Sequence, residues 1–350
     1  MDLVQHFPAL SRPTTPLCSV CIANYNGEEL LRECIESVLQ QDDANADVEI
    51  LVHDDASTDE SVQLLRREFP QVTVIASEEN VGFCVANNRM ASYARGEFLL
   101  LLNNDAALAP DAIRTLRTQA SQQRPQGILS LPQYDWESGK LVDRGCLLDP
   151  FYNPVPNEAE AQRDVAMVIG ACLWIPRALW IQLGAFPEWF ESIAEDLYLC
   201  CVARLSGHPV QVTVTSYYRH RQGVSFGGNR AGDAGLQTTY RRRRLSERNK
   251  TYALAVCCTP AMLWIWLPIH LMALSAEGLA LGFIKRDARL WSEVYLGVWR
   301  ALWSNRARLM QERRRVQALR RVSLMEYLEG FTVTLRKLSM LKKHGLPKVG

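Results

Sequence analysis

In the first hundred residues, two patterns of apolar positions alternate along the chain. Short, nearly continuous apolar runs are typical of buried strands, and apolar residues spaced three or four apart are typical of amphipathic helices. The predicted strands are LCSVCIA, VEILVH, VTVIAS and EFLLLL; the helices between them include GEELLRECIESVLQQ and FCVANNRMASYAR, with one more starting near DDASTDES. This β-α-β-α-β-α-β order predicts an α/β fold with a mostly parallel, doubly wound sheet flanked by helices.

The first two predicted helices have distinct local signals. The first has one apolar face, formed by Leu30, Leu31, Cys34, Ile35, Val38 and Leu39. Before the second, Ser57 is followed three residues later by Glu60. This spacing predicts a capping box, in which both side chains satisfy backbone groups at the helix start.

Polar clusters follow three of the predicted strands. They are residues 24–28, Asp54 with Asp55, and residues 103–105, whose sequence is NND. Because ligands bind beyond the carboxyl ends of parallel strands, we expect these clusters to converge on a binding site. An ordinary Asx turn is the alternative for NND taken alone. The chain has neither a dinucleotide-binding glycine motif nor a P-loop, and carboxylates suit ribose, a base or a bridging divalent ion better than bare phosphate.

The segment after the leucine strand predicts two more helices. In VIGACLWIPRALWIQLGAF, Pro176 lies near the first turn of a helix and Gly184 just past its end, while Gly170 and Ala171 allow close backbone approach to a ligand. In AEDLYLCCVARLSGH, Gly207 is the predicted C-terminal cap. Its acidic start has two interpretations, complementing the helix dipole or supplying a general base.

The C-terminal third contains a long uncharged stretch between basic flanks. Residues 253–276 hold no Asp, Glu, Lys or Arg, which is enough to span a bilayer. Pro260 and Pro268 predict breaks in it, and the basic flanks favour a cytoplasmic location for both ends. We expect helices lying in the membrane interface, with a re-entrant hairpin or a buried helical core as alternatives.

Charge and cysteine content refine this division. Residues 1–240 hold 17 Lys and Arg against 31 Asp and Glu, whereas residues 241–350 hold 22 against 7. The arginine-rich segment after residue 300 predicts amphipathic helices, or else a solvated basic face; sparse aromatic residues argue against nucleic acid as a partner. Ten cysteines, two adjacent pairs among them, and no signal-peptide pattern favour a reducing cytosolic setting. Cys18 and Cys21 belong to an apolar strand, so we expect no zinc site there.

The ordered motifs IANYNGEELLRECIESVLQQ, ILVHDDASTDES, ENVGFCVANNRMASYARGEFLLLLNND, VIGACLWIPRALWIQLGAF and EDLYLCCVARLSGH resemble family 2 glycosyltransferases of the GT-A fold. The resemblance covers about residues 17–228 and is greatest to the rhamnosyltransferase-like branch of bacterial surface-polysaccharide enzymes. It implies an N-terminal extension (1–16), a nucleotide-sugar-binding half (17–110), an acceptor-binding half (111–235) and a basic, helical, membrane-associating region (236–350).

The resemblance also assigns donor and metal residues. Asp54 corresponds to the aspartate that contacts the nucleotide base, and NND to the D-x-D motif, so that Asp105 would bind Mg²⁺ or Mn²⁺ on the donor diphosphate and Asn103 would bind ribose. The segment YYRHRQGVS implies His220 as a second metal or diphosphate ligand, with Arg219 and Arg221 as alternative diphosphate ligands. The full expected donor-binding set is Asn24, Asn26, Glu28, Asp54, Asn80, Asn87, Asn103, Asn104 and Asp105.

The resemblance assigns the second half of the site as well. Asp196 would be the catalytic base and Glu195 would position the acceptor, while Tyr198 occupies a position where the family commonly has a further acid. The expected acceptor-binding residues are Gly170, Ala171, Trp189 and Phe190. Of the two aromatic residues, we expect at least one to be core.

The implied reaction is the transfer of one sugar with inversion, from a nucleoside-diphosphate sugar to an acceptor. The donor would be dTDP-rhamnose or a UDP-sugar, and the acceptor a polyprenyl-diphosphate-linked sugar or a saccharide. The reaction would take place at the cytoplasmic face of the inner membrane. QTTYR departs from the Q-x-x-R-W motif of processive synthases, so we expect one sugar per encounter. The alternatives are a sugar nucleotidyltransferase, which normally has a basic glycine-rich loop after its first strand, and a nucleotide-sugar-binding membrane scaffold without turnover.

Overall fold

The structure is a computed structural model that describes residues 4–11, 13–43, 47–221, 231–232, 235–346 and 348–349. Its strands are β1 Val4–Phe7, β2 Cys18–Asn24, β3 Val48–Asp55, β4 Val72–Ser77, β5 Phe98–Asn103, β6 Ala106–Leu108, β7 Ile128–Ser130, β8 Gln133–Asp135, β9 Leu141–Asp143, β10 Cys146–Leu148, β11 Pro154–Pro156, β12 Cys172–Pro176, β13 Val210–Val212, β14 Tyr218–His220, β15 Ala231–Gly232, β16 Gly235–Thr238 and β17 Lys348–Val349.

The α-helices are α1 Glu28–Leu39, α2 Ser61–Glu68, α3 Phe83–Tyr93, α4 Ala112–Gln122, α5 Arg177–Leu183, α6 Glu195–Leu205, α7 Tyr240–Cys257, α8 Pro260–Lys285, α9 Leu296–Ser304, α10 Arg306–Leu319, α11 Leu324–Leu328 and α12 Arg336–His344. A 3₁₀-helix at Glu188–Phe190 precedes α6, and a π-helix at Leu290–Tyr295 leads into α9.

An eight-stranded sheet forms the centre of the molecule, in the order β1-β4-β3-β2-β5-β12-β7-β13. The four strands predicted from the apolar runs, β2 to β5, pair in parallel, as the alternating pattern predicted. Strand β12 continues the sheet antiparallel to β5. The parallel strands therefore end together at one edge, where their polar residues accumulate.

The early helices differ from the predictions in detail. In α1, Leu31, Cys34, Ile35 and Val38 are buried as predicted, but Leu39 lies at the helix end and is 44% exposed. The capping box is wrong, because α2 begins only at Ser61 and the Ser57 hydroxyl donates instead to the Asp54 carboxylate, at 2.7 Å. Gly184 and Gly207 end α5 and α6 with φ of 92° and 83°, as predicted.

A second sheet, in the order β6-β14-β8-β9, lies beside the polar edge. Its strands have only three residues each, which is too few for a periodic apolar pattern, so most of them could not be predicted from the sequence. His220 ends β14 and pairs in register with Ala106, the residue that follows Asp105. This small sheet therefore brings a residue distant in sequence to the NND turn.

The C-terminal helices pack directly on α6. Apolar side chains of α6, α7 and α10 share one core with the central sheet. The Tyr198 hydroxyl donates to Glu312 of α10, and Arg204 donates to the Tyr327 carbonyl of α11 at 2.8 Å. Tyr198 is thus buried on the side of α6 that faces α10. At the position where the family commonly has a further acid, this chain has a residue that packs between helices.

The break predicted at Pro260 agrees with the structure, whereas the break predicted at Pro268 is wrong. The uncharged stretch divides at Cys258 and Thr259, and a single 26-residue helix, α8, follows. Pro260 occupies its first turn, where the missing N–H costs no helical hydrogen bond. Pro268 lies inside this helix on its exposed side and does not end it.

Buried ion pairs join α7, α8 and α12. Glu247 of α7 is 4% exposed and lies 2.9 Å from the Lys337 ammonium, which also contacts Glu277 of α8 at 2.6 Å. Arg243 of α7 contacts the same Glu277 at 2.8 Å. Because breaking one member of such a group leaves a buried charge unpaired, these contacts fix how the three helices pack.

Candidate functional site

A chain of hydrogen bonds crosses the polar edge of the sheet. The Asn104 amide donates to the Asn24 side-chain oxygen at 2.8 Å, and the Asn24 amide donates to the Asp54 carboxylate at 3.0 Å. All three side chains are at most 5% exposed. The clusters after β2, β3 and β5 thus converge, as the sequence predicted, and their fixed side chains give this edge a defined shape.

Ser57 extends this chain toward the surface. Its hydroxyl accepts the Asn26 N–H at 2.8 Å, and the Asn26 side chain accepts the Thr58 N–H at 2.7 Å. Glu28, at the start of α1, accepts the Glu60 N–H at 3.3 Å. The loop after β2 is therefore attached to the loop after β3, and both border the same edge.

Gly27 is required where these two loops meet. A Cβ atom there would lie 2.3 Å from the Asn104 amide nitrogen and 2.5 Å from the Asn24 oxygen. No side chain larger than hydrogen fits, so the close approach of Asn24 and Asn104 depends on this glycine.

The NND turn meets His220. The His220 Nε2 atom lies 3.0 Å from an Asp105 carboxylate oxygen and 3.5 Å from the Asn103 amide nitrogen. Asp105 is 3% exposed and His220 is 8% exposed. The His220 Nδ1 atom is buried and has no hydrogen-bond partner among the described residues.

The donor atoms of Asp105 and His220 suit a divalent ion whose other ligands come from a bound substrate and from water. Adjacent ligands of an octahedral ion with bonds of about 2.1 Å lie about 3.0 Å apart, which matches the Asp105–His220 separation. Within the described part of the chain, no group of three or more His, Cys, Asp or Glu side chains could hold a metal. The remaining ligands would have to be diphosphate oxygens and water.

Asp143 is a buried carboxyl near His220 that sequence reasoning missed. It ends β9, is 4% exposed and accepts the Gly145 N–H at 2.9 Å. Burial raises the pKa of Asp143 to about 7, with the Gly145 hydrogen bond and His220 limiting the rise. A three-residue strand offers no periodic signal, so the fold alone identifies this residue.

Glu195 and Asp196 start α6 with different surroundings. The Asp196 carboxylate accepts the N–H groups of Gly170 at 3.0 Å and Leu197 at 2.7 Å. Glu195 is 6% exposed, and its Oε2 atom has no hydrogen-bond partner in the described residues. Backbone hydrogen bonds therefore stabilise the charge of Asp196 more than that of Glu195.

Burial raises the pKa of both acids, and different contacts oppose the rise. Burial raises the pKa of Glu195 to about 8, and the adjacent Asp196 charge adds to the rise. Burial also raises the pKa of Asp196, but its backbone hydrogen bonds oppose the increase. The Arg242 charge favours the ionised form of both.

Gly170 and Ala171 connect the two carboxylate clusters. The Ala171 carbonyl accepts the Asn103 N–H at 3.1 Å, next to the NND turn, while the Gly170 N–H binds Asp196. A Cβ atom at Gly170 would lie 3.7 Å from the Asp196 Cβ, which is ordinary contact. Ala171 is 1% exposed and acts through its backbone.

The two aromatic residues before α6 have different environments. Phe190 is completely buried and packs on Tyr198 and Tyr252, which makes it part of the core, and its contact with the acceptor stays a prediction. Trp189 is partly exposed and packs between Tyr252 and the Arg308 guanidinium. At least one of the pair is core, as expected.

Two of the expected donor residues have mainly local contacts. The Asn87 side chain is 1% exposed and donates to the Phe83 carbonyl within α3, and its contact with the donor stays a prediction. Asn80 is exposed and donates to the Asp55 carbonyl at 3.3 Å. Asp55 itself accepts the N–H groups of Val81 and Gly82 at 2.7 and 2.9 Å, which fixes the start of α3.

The arginines beside His220 already have partners. Arg221 lies 2.6 Å from the Glu33 carboxylate and stacks on Trp136, 4.2 Å from the ring centre. Arg219 is exposed and lies near Tyr217. The serine that completes the YYRHRQGVS motif, Ser225, lies outside the described residues.

Comparison with known proteins identifies related sequences. Residues 19–179, a little under half of the chain, match the family described as Glycosyl transferase family 2. Chondroitin synthase of Escherichia coli is 35% identical over 189 residues, which are 53% of this chain and 26% of that protein. The chain spans about a quarter of the length of the first curated relatives it matches.

Two solved structures share the architecture. S. aureus TarS 1-349 in complex with UDP-GlcNAc superposes with a TM-score of 0.53 at 18% identity, covering 90% of this chain and 92% of that one. The mannosyltransferase PcManGT from Pyrobaculum calidifontis, in complex with GDP-Man and Mn²⁺, gives 0.51 at 19% identity, covering 89% and 88%. At these identities the likeness shows the fold, which is GT-A.

Proposed function

We propose that this protein, a member of glycosyltransferase family 2 through residues 19–179, transfers one sugar from a nucleoside-diphosphate sugar to a lipid-linked or saccharide acceptor, with inversion at the anomeric carbon. The observation that carries the proposal is the short connection through Gly170 and Ala171, which joins the NND turn to the Asp196 carboxylate. The diphosphate-binding turn and the proton-accepting carboxylate would thereby be linked through two successive residues.

The donor would bind at the polar edge. Asp54 would accept an N–H of the base, and Asn24, Asn103 and Asn104 would surround the ribose, with Asn26 and Glu28 at the rim. A UDP-sugar or dTDP-rhamnose is the donor we propose; the ring N–H of uracil or thymine would donate to the Asp54 carboxylate. Asp105 and His220 would hold Mg²⁺ or Mn²⁺, whose chemistry would be to neutralise the leaving diphosphate.

Asp196 would act as the general base. Its carboxylate is oriented by two backbone N–H groups and is partly exposed, so it can accept a proton from an acceptor hydroxyl. Glu195, held protonated by burial, would fix the conformation beside it and position the acceptor. In a single displacement, the hydroxyl oxygen bonds to the anomeric carbon as the bond to the nucleoside diphosphate breaks, and the proton passes to Asp196.

The acceptor side would lie against a membrane. Within the described residues, α8 is the one helix long and apolar enough to cross a bilayer, and only 28% of its apolar window is buried. Its exposed apolar side chains are Trp264, Ile265, Ile269, Met272, Leu279, Phe283 and Ile284. We propose that this α8 face lies in the cytoplasmic leaflet of the inner membrane, where anionic lipid would attract the basic C-terminal region and a polyprenyl-linked acceptor would be available.

The test is nucleotide binding by the purified chain, combined with turnover. Calorimetry with UDP, dTDP, GDP and CDP, with and without Mg²⁺ or Mn²⁺, should give metal-dependent binding of one diphosphate. Asp105→Ala should abolish the metal dependence. Asp196→Asn should bind the diphosphate normally but lower donor turnover by about 10²- to 10⁴-fold, the usual contribution of a general base.

Each other outcome has a distinct meaning. Binding of no diphosphate by folded protein would reject the donor site. Normal binding without transfer or hydrolysis of any donor would favour a nucleotide-sugar-binding scaffold, an alternative motivated by Asn103 in place of the first acid of D-x-D. Full turnover by folded Asp196→Asn would reject the base assignment.

A further inference from the structure

The loop before α6 has an uncommon backbone conformation. Glu191, Ile193 and Ala194 have φ values of 67°, 70° and 68°, although none of them is glycine. Left-handed φ values are sterically unfavourable for residues with a Cβ atom and persist where surrounding contacts enforce them. The next two residues are Glu195 and Asp196, so whatever enforces this loop also sets where α6 begins.

Asn249 of α7 supplies most of those contacts. Its side-chain amide nitrogen lies 2.9 Å from the Phe190 carbonyl oxygen, 2.9 Å from that of Ser192 and 2.8 Å from that of Ile193. Asn249 is completely buried. Three carbonyl dipoles therefore point at one N–H₂ group, and without it they would repel one another in a region closed to water.

Neighbouring contacts hold the same loop from two sides. Arg248 donates to the Phe190 carbonyl and to the Glu191 carboxylate, each at 2.9 Å. On the opposite side, the Cys84 N–H at the start of α3 donates to the Glu191 carbonyl at 3.2 Å. The loop thus bridges α7 of the basic C-terminal region and α3 of the nucleotide-binding half.

We propose that Asn249, assisted by Arg248, is a positioning residue for the Glu195–Asp196 pair. The inference rests on the proposed glycosyl transfer and adds a role for the C-terminal region, which would maintain the catalytic geometry. Without the Asn249 amide, the loop would relax toward ordinary φ values and move the N-terminus of α6. A displacement of about 1 Å in a catalytic group can lower a rate by about 10²-fold.

The experiment compares Asn249→Leu with Gln317→Met. Both substitutions are close in shape to the native residue and remove an amide that donates to backbone carbonyls. Gln317 contacts the carbonyls of Val256, Cys257 and Cys258 at the end of α7, away from the loop. Amide hydrogen exchange of residues 190–196, affinity for the nucleoside diphosphate, and kcat and KM for donor turnover are measured for both variants.

We expect Asn249→Leu to lower kcat by about 10- to 100-fold, with the diphosphate Kd within about twofold of the native value. Exchange of residues 190–196 should be faster in this variant, while Gln317→Met leaves both exchange and kcat unchanged. If Asn249 only stabilised the fold, both variants would lose thermal stability, and Asn249→Leu would show no selective loss of kcat.

Native exchange of residues 190–196 in Asn249→Leu, or a kcat loss no larger than in Gln317→Met, would overturn the proposal. If Asn249→Leu does not fold, Arg248→Met is compared with Gln317→Met instead. We expect smaller changes in the same direction, and native exchange or an equal kcat loss would again overturn the proposal. If the unaltered chain turns over no donor, the proposed function fails, but the exchange measurements still decide whether Asn249 positions the loop.

Discussion

Two adjacent carboxyl groups at the start of α6 illustrate how local contacts divide chemical roles. Asp196 receives two backbone hydrogen bonds, whereas the Glu195 Oε2 atom receives none from the described residues. The sequence located this pair through a motif and the start of a predicted helix. It could not indicate which carboxyl keeps its proton, because that depends on burial and on the N–H of Gly170, distant in the chain.

Replacing Glu195 with Gln should change how stability depends on pH. The pKa of Glu195 is about 8 in the folded protein, whereas an unfolded Glu has a pKa of about 4.3. Between these values the folded state binds more protons than the unfolded state, so this group's contribution to stability falls as the pH rises. Glu195→Gln removes the titration, so its stability relative to the native protein should increase from pH 5 to pH 8.

Urea unfolding at pH 5 and pH 8 measures this difference, with exposed Glu97→Gln as the control. The change in relative stability for Glu195→Gln should be on the order of a few kcal/mol, against little change for the control. An equal relative stability at both pH values would show that Glu195 is ionised in the folded protein.

At the scale of elements, long apolar patterns were informative and short segments were not. Strands β2 to β5 and helix α6 agree with their predictions because each buries a periodic or continuous apolar run. The three-residue strands β8 and β9 and the site residue Asp143 had no such signal. The break predicted at Pro268 is wrong for a different reason, since α8 accommodates this proline on its exposed side.

Packing of α8 on the π-helix predicts opposite effects for two glycine substitutions. A Cβ atom at Gly278 would lie 2.4 to 2.7 Å from atoms of the buried Tyr295 side chain, whereas a Cβ at Gly297 in α9 would have no atom within 4 Å. Gly278→Ala should therefore lower the free energy of unfolding by about 1 to 3 kcal/mol through overpacking. Gly297→Ala should raise it by about 0.5 to 1 kcal/mol through helix propensity.

Urea unfolding of the two variants under one set of conditions tests this packing. The sign of the difference is decisive, because helix propensity alone predicts stabilisation in both. If Gly278→Ala is as stabilising as Gly297→Ala, α8 does not contact Tyr295 as described.

The sequence predicts that an acidic part of the chain is followed by a basic part. It does not predict how extensively these two parts pack against each other. The acidic residues 1–240 contain the polar edge, and the basic residues 241–350 form helices that pack on α6. No periodic pattern identifies which helix contacts α6, because such contacts join residues far apart in the chain. The predicted uncharged stretch divides into the buried end of α7 and the first part of α8, which has one exposed apolar face.

The exposed apolar face of α8 predicts that the protein binds membranes. Trp264 and Phe283, near opposite ends of α8, are 83% and 87% exposed, and Lys285 and Arg286 follow closely. The purified chain should float with vesicles containing anionic lipid, more weakly with neutral vesicles and at high salt. Trp264→Ser with Phe283→Ser should weaken binding at least about tenfold, because burying one large apolar side chain contributes about 1.5 to 3 kcal/mol.

Val333→Ser is the matched control, since Val333 is apolar and 93% exposed but lies outside α8. Vesicle binding that the double α8 variant leaves unchanged would place the membrane contact elsewhere. If the chain ignores vesicles but forms a dimer that the double variant disrupts, a second copy of the chain covers the α8 face. The membrane location would then be wrong, whereas the donor site and Asp196 would be unaffected, because both lie in the GT-A portion and are tested by nucleotide binding and turnover.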